Sequence, residues 1–396
     1  MTTAPRGERL NIGIFGRRNV GKSSLLNALC DQPVSIVSDT AGTTTDAVSK
    51  IYELIPVGPV TFFDTAGVDD TDGIGELRVA ATRKVMNKVD IALLVTDESG
   101  VGEYERALIA EMTVLKIPFA LVVNKSDKAR PEISGVPCPV VGVCAKTGDG
   151  VESLKQTLKD LVPEHLKTAP ALVRDLISAG QTVVCVTPID TSAPKGRLIL
   201  PQVQVIRDIL DADAFAYVVQ NDKDYLKAAA NMKTPPALVI TDSQLIRAVA
   251  AAVPETVPLT TFSTLFARYK GDLKLLFDGA KRLRALSDGD AVLIAEACSH
   301  HVQDDDIARV KMPALIKKAT GKDIRFEWSA GIDFPADPDK YKVVVHCGGC
   351  MLSRLETLRR LNECARRGVP VTNFGMALSA MQGVLDRVMK PFGDLP

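Results

Sequence analysis

Two short clusters near the C-terminus contain residue types that bind thiophilic metals. The first is Cys298-Ser299-His300, and the second is His346-Cys347-Gly348-Gly349-Cys350. Thiolate sulfur and neutral imidazole nitrogen bind Zn²⁺, and three thiolates can equally hold three irons of a cubane cluster. The residue types alone therefore leave zinc and iron–sulfur open. Residues 301–345 separate the clusters, so a folded domain rather than a self-contained finger must assemble the site.

The other end of the chain carries a phosphate-binding loop. Residues 16–23 read Gly-Arg-Arg-Asn-Val-Gly-Lys-Ser, between an apolar strand and a helix. The glycines let the backbone fold around phosphates, Lys22 supplies charge to the β- and γ-phosphates, and Ser23 offers a hydroxyl to Mg²⁺. Nucleotide contacts are expected from Gly16, Asn19, Gly21, Lys22, Ser23 and Ser24.

Two further segments supply groups for Mg²⁺ and the γ-phosphate. Asp64-Thr65-Ala66-Gly67 follows an apolar strand, so Asp64 can hold Mg²⁺ through water and the Gly67 amide can meet the γ-phosphate. The segment 42–46 resembles a first switch, in which Thr43 or Thr44 can reach Mg²⁺. The expected catalytic residues are Lys22, Thr44, Asp64 and Gly67.

The segment Asn124-Lys125-Ser126-Asp127 indicates guanine rather than adenine. A carboxylate here can accept hydrogen bonds from N1–H and the 2-amino group of guanine, and adenine offers neither. Ala145 and Lys146 lie where related domains place a base-contacting loop. The order and spacing of all these segments resemble the TrmE–Era group of GTPases, which implies GTP hydrolysis.

Two residues refine the expected mechanism. Val68 stands where Ras-like enzymes have the glutamine that orients the attacking water, so catalysis through that residue is unavailable. Asn19 matches the asparagine that helps to hold K⁺ beside the phosphates in TrmE-like GTPases. The resemblance therefore implies slow, potassium-stimulated hydrolysis.

Alternating strands and helices predict an α/β protein in which parallel sheets position these segments. The 396 residues correspond to two or three domains at about 150 residues each. We predict a P-loop GTPase domain over residues 8–166, a small α/β domain over 174–260, and a C-terminal α/β domain over 262–396. The C-terminal domain is predicted to begin with one long helical stretch over residues 262–286. Strands predicted at 291–295 and 341–345 end just before the two metal-binding clusters, as is usual for sites in α/β folds.

Composition argues against two classes of partner. Lys plus Arg equals Asp plus Glu at 48 each, and this zero net charge favours neither nucleic acid nor an anionic membrane. The first ten residues are polar, and no apolar run approaches the ~20 residues that span a bilayer. We therefore expect a cytoplasmic protein with no membrane partner.

The combination of TrmE-like GTPase segments, a middle α/β block and a C-terminal Cys-x-His…His-Cys-x-x-Cys resembles the HydF family, the GTPase maturation factors of di-iron hydrogenases. The resemblance implies a 4Fe–4S cluster on Cys298, Cys347 and Cys350, with an exchangeable fourth position for which His300 and His346 are candidates. It also implies a homodimer formed by the middle domain. The family carries a transient di-iron precursor, made with radical-SAM maturases, to the apo-hydrogenase.

Two other functions are compatible with parts of this pattern. The first is a zinc-containing GTPase in RNA modification or ribosome assembly, although zero net charge and only 5% aromatic residues disfavour an RNA-binding surface. The second is a redox enzyme that uses the cluster for electron transfer, but the sequence has no flavin or nicotinamide fingerprint.

Overall fold

The structure is a computed structural model of the chain. It describes residues 9–30, 48–55, 57–64, 85–86, 88–128, 131–162, 171–189, 198–297, 306–331, 334–335, 337–349 and 352–393. The chain divides into two compact units, Met1–Thr168 and Ala169–Pro396, which we call the N-terminal and C-terminal units.

The N-terminal unit contains a six-stranded sheet in the order β2-β3-β1-β4-β5-β6. Its strands are β1 Leu10–Phe15, β2 Val48–Leu54, β3 Gly58–Asp64, β4 Ile91–Thr96, β5 Phe119–Val123 and β6 Val140–Gly142. Its helices are α1 Lys22–Leu29, α2 Glu103–Val114 and α3 Val151–Leu161. The central strands β1, β4 and β5 are buried along their whole length, which is typical of a parallel sheet covered on both faces.

One strand of this sheet differs from the predicted parallel arrangement. Strand β2 pairs with β3 in antiparallel fashion, whereas the other pairings in the sheet are parallel. A tight turn joins the two strands, with the Val57 N–H donating to Leu54 O at 2.6 Å and Gly58 at φ 105°. Such a short connection permits only an antiparallel partner.

The C-terminal unit contains two four-stranded parallel sheets, in the orders β10-β9-β7-β8 and β12-β11-β13-β14. The strands are β7 Thr182–Val186, β8 Phe215–Val219, β9 Leu238–Thr241, β10 Leu259–Thr261, β11 Ala291–Ala295, β12 Arg325–Ser329, β13 Val343–His346 and β14 Val371–Asn373. The helices are α4 Leu200–Asp211, α5 Asp222–Ala230, α6 Ile246–Ala252, α7 Phe262–Lys270, α8 Leu273–Arg282, α9 Met312–Thr320, α10 Arg354–Arg366, α11 Phe374–Met381 and α12 Leu385–Met389. The α/β fold class is confirmed.

The two blocks of the C-terminal unit share one hydrophobic core. Val184 and Val239 from the first sheet belong to the same buried cluster as Val292 and Val344 from the second. The segments assigned to a second and a third domain therefore pack together in one compact unit.

The long helix predicted over residues 262–286 is interrupted. Helix α7 ends at Lys270, and α8 begins at Leu273 after Gly271 and Asp272. The Asp272 carboxylate accepts a hydrogen bond from the Leu275 N–H at 2.9 Å, and this N-cap starts a new helix in a new direction. The break places the last turn of α7 beside the loop that follows β13, since Lys270 bonds to that loop.

The helices in the described parts of the chain are short. The longest that the structure describes, α10, has 13 residues. A bilayer requires about 20 predominantly apolar residues. Within the described parts of the chain, no helix combines the length and apolar character needed to cross a membrane.

We predict that Gly279→Ala destabilises the C-terminal unit, although alanine normally favours a helix by up to about 1 kcal/mol over glycine. Gly279 lies in α8 against β14, and an added Cβ would sit 2.0 Å from Val371 O. Because backbone cannot yield cheaply, we expect a loss of about 1–3 kcal/mol. Chemical denaturation of the full chain measures the free energy of unfolding, and Lys274→Ala on the exposed side of α8 is the control. An unchanged or raised stability for Gly279→Ala would contradict this packing.

Candidate functional site

The phosphate-binding loop connects the buried strand β1 to helix α1, and its glycines are required by close backbone approach. Gly16 has φ 144°, and a Cβ there would lie 2.2 Å from Val95 O. Gly21 has φ 93°, and a Cβ there would lie 2.2 Å from Asn124 Nδ2. Asn19 also has positive φ, at 67°. Neither glycine position leaves room for a side chain.

Lys22 lies at the centre of this loop. Its side chain is 6% exposed, and Nζ donates to Gly16 O at 2.5 Å and Arg17 O at 3.0 Å. Ser23 and Ser24 are exposed in the first turn of α1. The first N–H groups of a helix lack intrahelical acceptors, and together with the Lys22 ammonium they form an anion-binding site suited to phosphates.

Arg17 anchors the loop to α2, a role that its position in the motif does not reveal. Its Nε donates to Glu105 Oε1 at 2.7 Å, and its guanidinium also bonds to Ser99 Oγ at 2.8 Å. The Glu105 side chain is fully buried and also accepts from the Gly102 N–H at 2.9 Å. Glu105 therefore fixes the loop and the start of α2 at the same time.

The predicted base-recognition segments meet the phosphate-binding loop through Asn124. This side chain is buried, donates from Nδ2 to Val20 O at 2.9 Å, and accepts from the Ala145 N–H at 3.1 Å. It therefore ties three predicted nucleotide-contacting segments together. Asp127 and Lys146 are exposed beside it, available to a ligand.

Lys125 pairs with Asp97, which follows β4. The Nζ–Oδ2 distance is 2.8 Å, and Lys125 adopts φ 58°. Burial alone would raise the pKa of Asp97, but hydrogen bonds from Lys125 and Ser99 outweigh it and lower the pKa to about 2. Asp97 is therefore ionised at neutral pH and holds the lysine stem in one place.

Part of the predicted Mg²⁺ and γ-phosphate site falls outside the described residues, namely Thr43, Thr44 and Gly67. The backbone of Asp64 is described as the last residue of β3, in register with Ile14 of β1. Asp64 thus ends the strand beside the one that leads into the phosphate-binding loop.

Strands β11 and β13 end at the same edge of a sheet, and in the sequence each leads into one of the two Cys/His clusters. They are parallel neighbours, with Ala295 in register with His346. The Cys347 N–H donates to Ala295 O at 2.8 Å, and the Ala297 N–H donates to Cys347 Sγ at 3.1 Å. Ala297 immediately precedes Cys298 in the sequence, and Gly349 immediately precedes Cys350.

Cys298, His300 and Cys350 themselves lie outside the described residues. Among the residues that are described, no group of three or more His, Cys, Asp or Glu side chains converges as metal ligands do.

The surroundings of Cys347 fit a metal-bound thiolate. Burial raises the pKa of the Cys347 thiol, while backbone N–H groups of Gly349 and Ala297 hydrogen-bond to the sulfur and favour the thiolate. Amide donors of this kind surround the sulfurs of iron–sulfur clusters and tune them. The thiol therefore stays protonated in the metal-free protein, and a metal displaces its proton on binding.

His346 is buried with both ring nitrogens engaged. Nδ1 lies 2.7 Å from Cys347 O and therefore carries the hydrogen, so Nε2 accepts from Arg360, 3.3 Å away. Burial, together with the positive charge of Arg360, lowers the pKa of His346 to about 4, so the ring is neutral at neutral pH. In this arrangement His346 would have to release Arg360 before Nε2 could bind iron. Its role as a cluster ligand stays a prediction.

Two ion pairs, each with one buried partner, lie near this edge, and neither is visible in the sequence. Arg360 pairs with Glu356 at 3.2 Å and also donates to Gly331 O. Glu296, which directly follows β11 and is 4% exposed, pairs with Arg309 at 3.3 Å. Glu296 precedes residues 298–305 in the sequence and Arg309 follows them, so this ion pair connects the chain before and after the first Cys/His cluster.

Three family profiles match the chain. The hydrogen maturase F dimerization domain matches residues 172–271, and the hydrogen maturase F tetramerization domain matches residues 274–391. The 50S ribosome-binding GTPase family matches residues 11–125.

Known relatives of the N-terminal unit include tRNA modification GTPases named MnmE. The protein from Neisseria meningitidis serogroup A is 40% identical over 156 residues, 38% of this chain and 34% of its own length. The protein from a Synechococcus strain is 38% identical over 175 residues, 41% of this chain and 37% of its own length. The chain therefore spans about a third of the length of these relatives.

Among solved structures, Aquifex aeolicus Era bound to GDP and aluminium fluoride is 20% identical, with a TM-score of 0.32, and the match covers 55% of this chain and 97% of that one. The two hydrogen maturase F profiles together cover more than half of the chain, and a GTPase profile covers its N-terminal part, so the chain belongs to the HydF family of hydrogenase maturation proteins and has a GTPase-family domain in its N-terminal part.

Proposed function

We propose that the protein is a GTP-hydrolysing scaffold that carries a 4Fe–4S cluster and delivers a di-iron precursor to an apo-hydrogenase. The observation that carries the proposal is the hydrogen bond from Ala297 N–H to Cys347 Sγ, which joins the two cysteine-bearing segments at the ends of adjacent parallel strands. The family assignment supplies the link to hydrogenase maturation.

In the proposed GTPase site, positioning and charge do the catalytic work. Lys22 and the first amides of α1 bind the β- and γ-phosphates, Ser23 and Thr44 hold Mg²⁺ directly, and Asp64 holds it through water. The Gly67 amide then contacts the γ-phosphate, and Asp127 selects guanine. The ion pair from Arg17 to the buried Glu105 and the buried hydrogen bond from Asn124 to Val20 keep the loop in a binding-competent shape.

In the proposed cluster site, Cys298, Cys347 and Cys350 hold three irons, and His300 and His346 are candidates for the exchangeable fourth position. A bound 4Fe–4S cluster would supply one replaceable iron position to which a metal fragment can attach and from which it can leave. Amides of Ala297 and Gly349 hold the Cys347 sulfur, and Arg360 fixes the His346 ring.

The proposed partners are radical-SAM maturases, which supply the precursor, and the apo-hydrogenase, which receives it. We place the activity in the cytoplasm, where thiols are kept reduced and can bind iron.

We predict that the two sites can be inactivated separately. Cys347→Ser, Cys298→Ser or Cys350→Ser should remove bound iron and leave GTP hydrolysis nearly intact, whereas Lys22→Ala should do the reverse. Bound iron is measured after anaerobic purification by iron, sulfide and zinc analysis and by EPR of the reduced protein. GTP hydrolysis is measured by phosphate release. Cys138→Ser, a partly buried cysteine of the N-terminal unit, is the matched control. Stoichiometric zinc with no iron after reconstitution would refute the iron–sulfur proposal in favour of a zinc site.

We predict that K⁺ stimulates hydrolysis by at least about tenfold over Na⁺, equivalent to about 1.4 kcal/mol of barrier. The Asn19 side chain is the proposed K⁺ ligand. Asn19→Gly is the informative variant, because Gly retains the positive φ of 67° that Ala would strain. Phosphate release in matched KCl and NaCl should show that this variant loses the stimulation while it keeps the sodium rate. Equal rates in the two salts for the wild type would rule out the potassium proposal.

We propose a homodimer in which strand β8 pairs with β8 of a second copy. Self-association is indicated by the hydrogen maturase F domains, and β8 is the edge strand of its sheet. It exposes Phe215 at 62%, Tyr217 at 51% and Val218 at 46%. An uncovered apolar edge strand pairs readily with another chain.

The direction of the backbone groups makes this edge testable. The Phe215 N–H donates to Gln181 O, and the Val219 O accepts from the Thr187 N–H. The backbone N–H and C=O groups of residues 215, 217 and 219 therefore point toward β7. The alternate residues Ala216 and Val218 therefore direct their N–H and C=O groups to the open edge.

We predict that Val218→Pro weakens the dimer by at least about tenfold in dissociation constant, or about 1.4 kcal/mol, because proline removes an edge donor and keeps the bonds to β7. Sedimentation across a concentration series measures this. Ile55→Ser, which removes a 77% exposed apolar side chain from the N-terminal unit, is the control. If both variants dissociate equally, β8 is not the interface.

A further inference from the structure

Lys270, at the end of α7, is a buried cation that contacts the loop after β13. Its side chain is 2% exposed. Nζ donates to Gly349 O at 3.2 Å and to Leu352 O at 2.9 Å. Burying an ammonium group is costly unless oxygen atoms replace its water shell. The two carbonyl oxygens replace that water, so moving either residue away from Lys270 would leave the buried charge poorly solvated.

The two carbonyls belong to Gly349 and Leu352, two residues that a backbone hydrogen bond joins and that we call the turn. The Leu352 N–H donates back to Gly349 O at 3.0 Å, and Gly349 adopts φ 63°, in the left-handed region. The residues between these two ends in the sequence are Cys350 and Met351. Lys270 therefore bonds to Gly349 and Leu352, the residues that flank Cys350 and Met351 in the sequence. Cys350 is one of the proposed cluster ligands.

The same end of α7 is joined to the element that follows the turn. The Arg354 guanidinium, in the first turn of α10, donates to Tyr269 O. Ser353 caps α10 by accepting from the Glu356 N–H at 3.2 Å. Gly349, Leu352 and Arg354 are thus attached to α7 by two cations, Lys270 of α7 and Arg354 of α10.

The charge of Lys270 matches what the turn is proposed to hold. Three thiolates outweigh the positive charge of an iron–sulfide core, and reduction adds one more negative charge. A positive charge in a poorly solvated interior stabilises an anion far more than one in water does, and stabilises the reduced form most. Net charge and hydrogen bonding around a cluster are the main determinants of its reduction potential.

We propose that Lys270 is a positioning residue for the cluster, holding Gly349 and Leu352 on either side of Cys350 in the sequence and favouring the anionic, reduced cluster. The inference rests on the proposed iron–sulfur function. Lys270 lies in the segment matched by the dimerization domain, and the turn lies in the segment matched by the tetramerization domain. The cluster site is therefore built from both domains of the C-terminal unit.

Two substitutions separate position from charge. Lys270→Met keeps the length of the side chain and removes both the donors and the charge. Lys270→Gln removes the charge but keeps a donor for one carbonyl. Lys274→Met, on the exposed face of α8, is the control for loss of a lysine in the same region. Far-UV circular dichroism and thermal melting of the full chain identify any variant that fails to fold, in which case Lys270→Gln carries the test.

After anaerobic reconstitution, iron release to a chelator and the midpoint potential of the cluster are measured. We expect Lys270→Met to release iron about tenfold faster than the wild type, as is typical when a residue that supports a metal ligand is lost, and Lys270→Gln to fall between them. Both variants should shift the potential to more negative values by similar amounts, because both lack the charge. Lys274→Met should match the wild type in both measurements. A merely structural lysine would change iron release without changing the potential, and that result overturns the electrostatic role.

A readout on the metal-free protein keeps this inference separate from the proposed function. Hydrogen exchange of the amides in residues 347–353 should be faster in Lys270→Met than in the wild type and in Lys274→Met. If the wild type binds no iron, the iron–sulfur proposal fails, whereas unchanged exchange shows that Lys270 does not hold the turn.

Discussion

The parallel pairing of β11 with β13 is the constraint on which the proposed metal centre depends. In a parallel pair the carboxyl ends of both strands lie at the same edge, so residues far apart in the sequence emerge side by side. Here the register of Ala295 with His346 brings Ala297 within hydrogen-bonding distance of Cys347 Sγ. Slippage by one residue would turn every side chain of the strand to the opposite face. The hydrophobic burial of both strands therefore also fixes the separation of the cysteine segments.

The same edge concentrates buried charge next to the apolar core of the C-terminal unit. Lys270, Arg360 and Glu296 are each less than 7% exposed and contact or adjoin the segments that carry the two Cys/His clusters. Buried ion pairs contribute little to stability, because desolvation offsets most of the Coulombic attraction. Their concentration here is better explained by the orientation of loops and side chains: Glu296 and Arg309 join both sides of segment 298–305, and Arg360 fixes the His346 ring.

Sequence patterns predicted the strands well, because a buried strand depends on local information. The strand predicted at 291–295 has those bounds in the structure, and the strand predicted at 341–345 runs from Val343 to His346. The helix over 262–286 was wrong in its continuity, since one N-capping carboxylate at Asp272 outweighs an otherwise helical periodicity.

What the sequence could not predict are contacts between distant residues. Lys270 and Gly349 are 79 positions apart, and Arg17 and Glu105 are 88 positions apart. A lysine in an amphipathic helix normally lies at the surface, so nothing in the sequence around Lys270 distinguishes it from a solvated residue. The cysteines, by contrast, stand out by their spacing as candidate metal ligands, and the resemblance to the HydF family selects Cys298, Cys347 and Cys350 among them.

The last turn of α7 contacts a second segment besides the loop after β13. Arg268 donates to Ala171 O and Leu172 O at 2.8 Å each and pairs with Asp175, where the C-terminal unit begins. Residues two apart on a helix point in different directions, so Arg268 holds residues 171–175 while Lys270 holds Gly349 and Leu352. A helical turn is stiff, and a displacement of residues 171–175 would therefore move both sets of contacts together. Coupling between the proposed nucleotide and cluster sites requires that the two nucleotide states differ in their contacts, and within the C-terminal unit α7 joins residues 171–175 directly to the loop after β13.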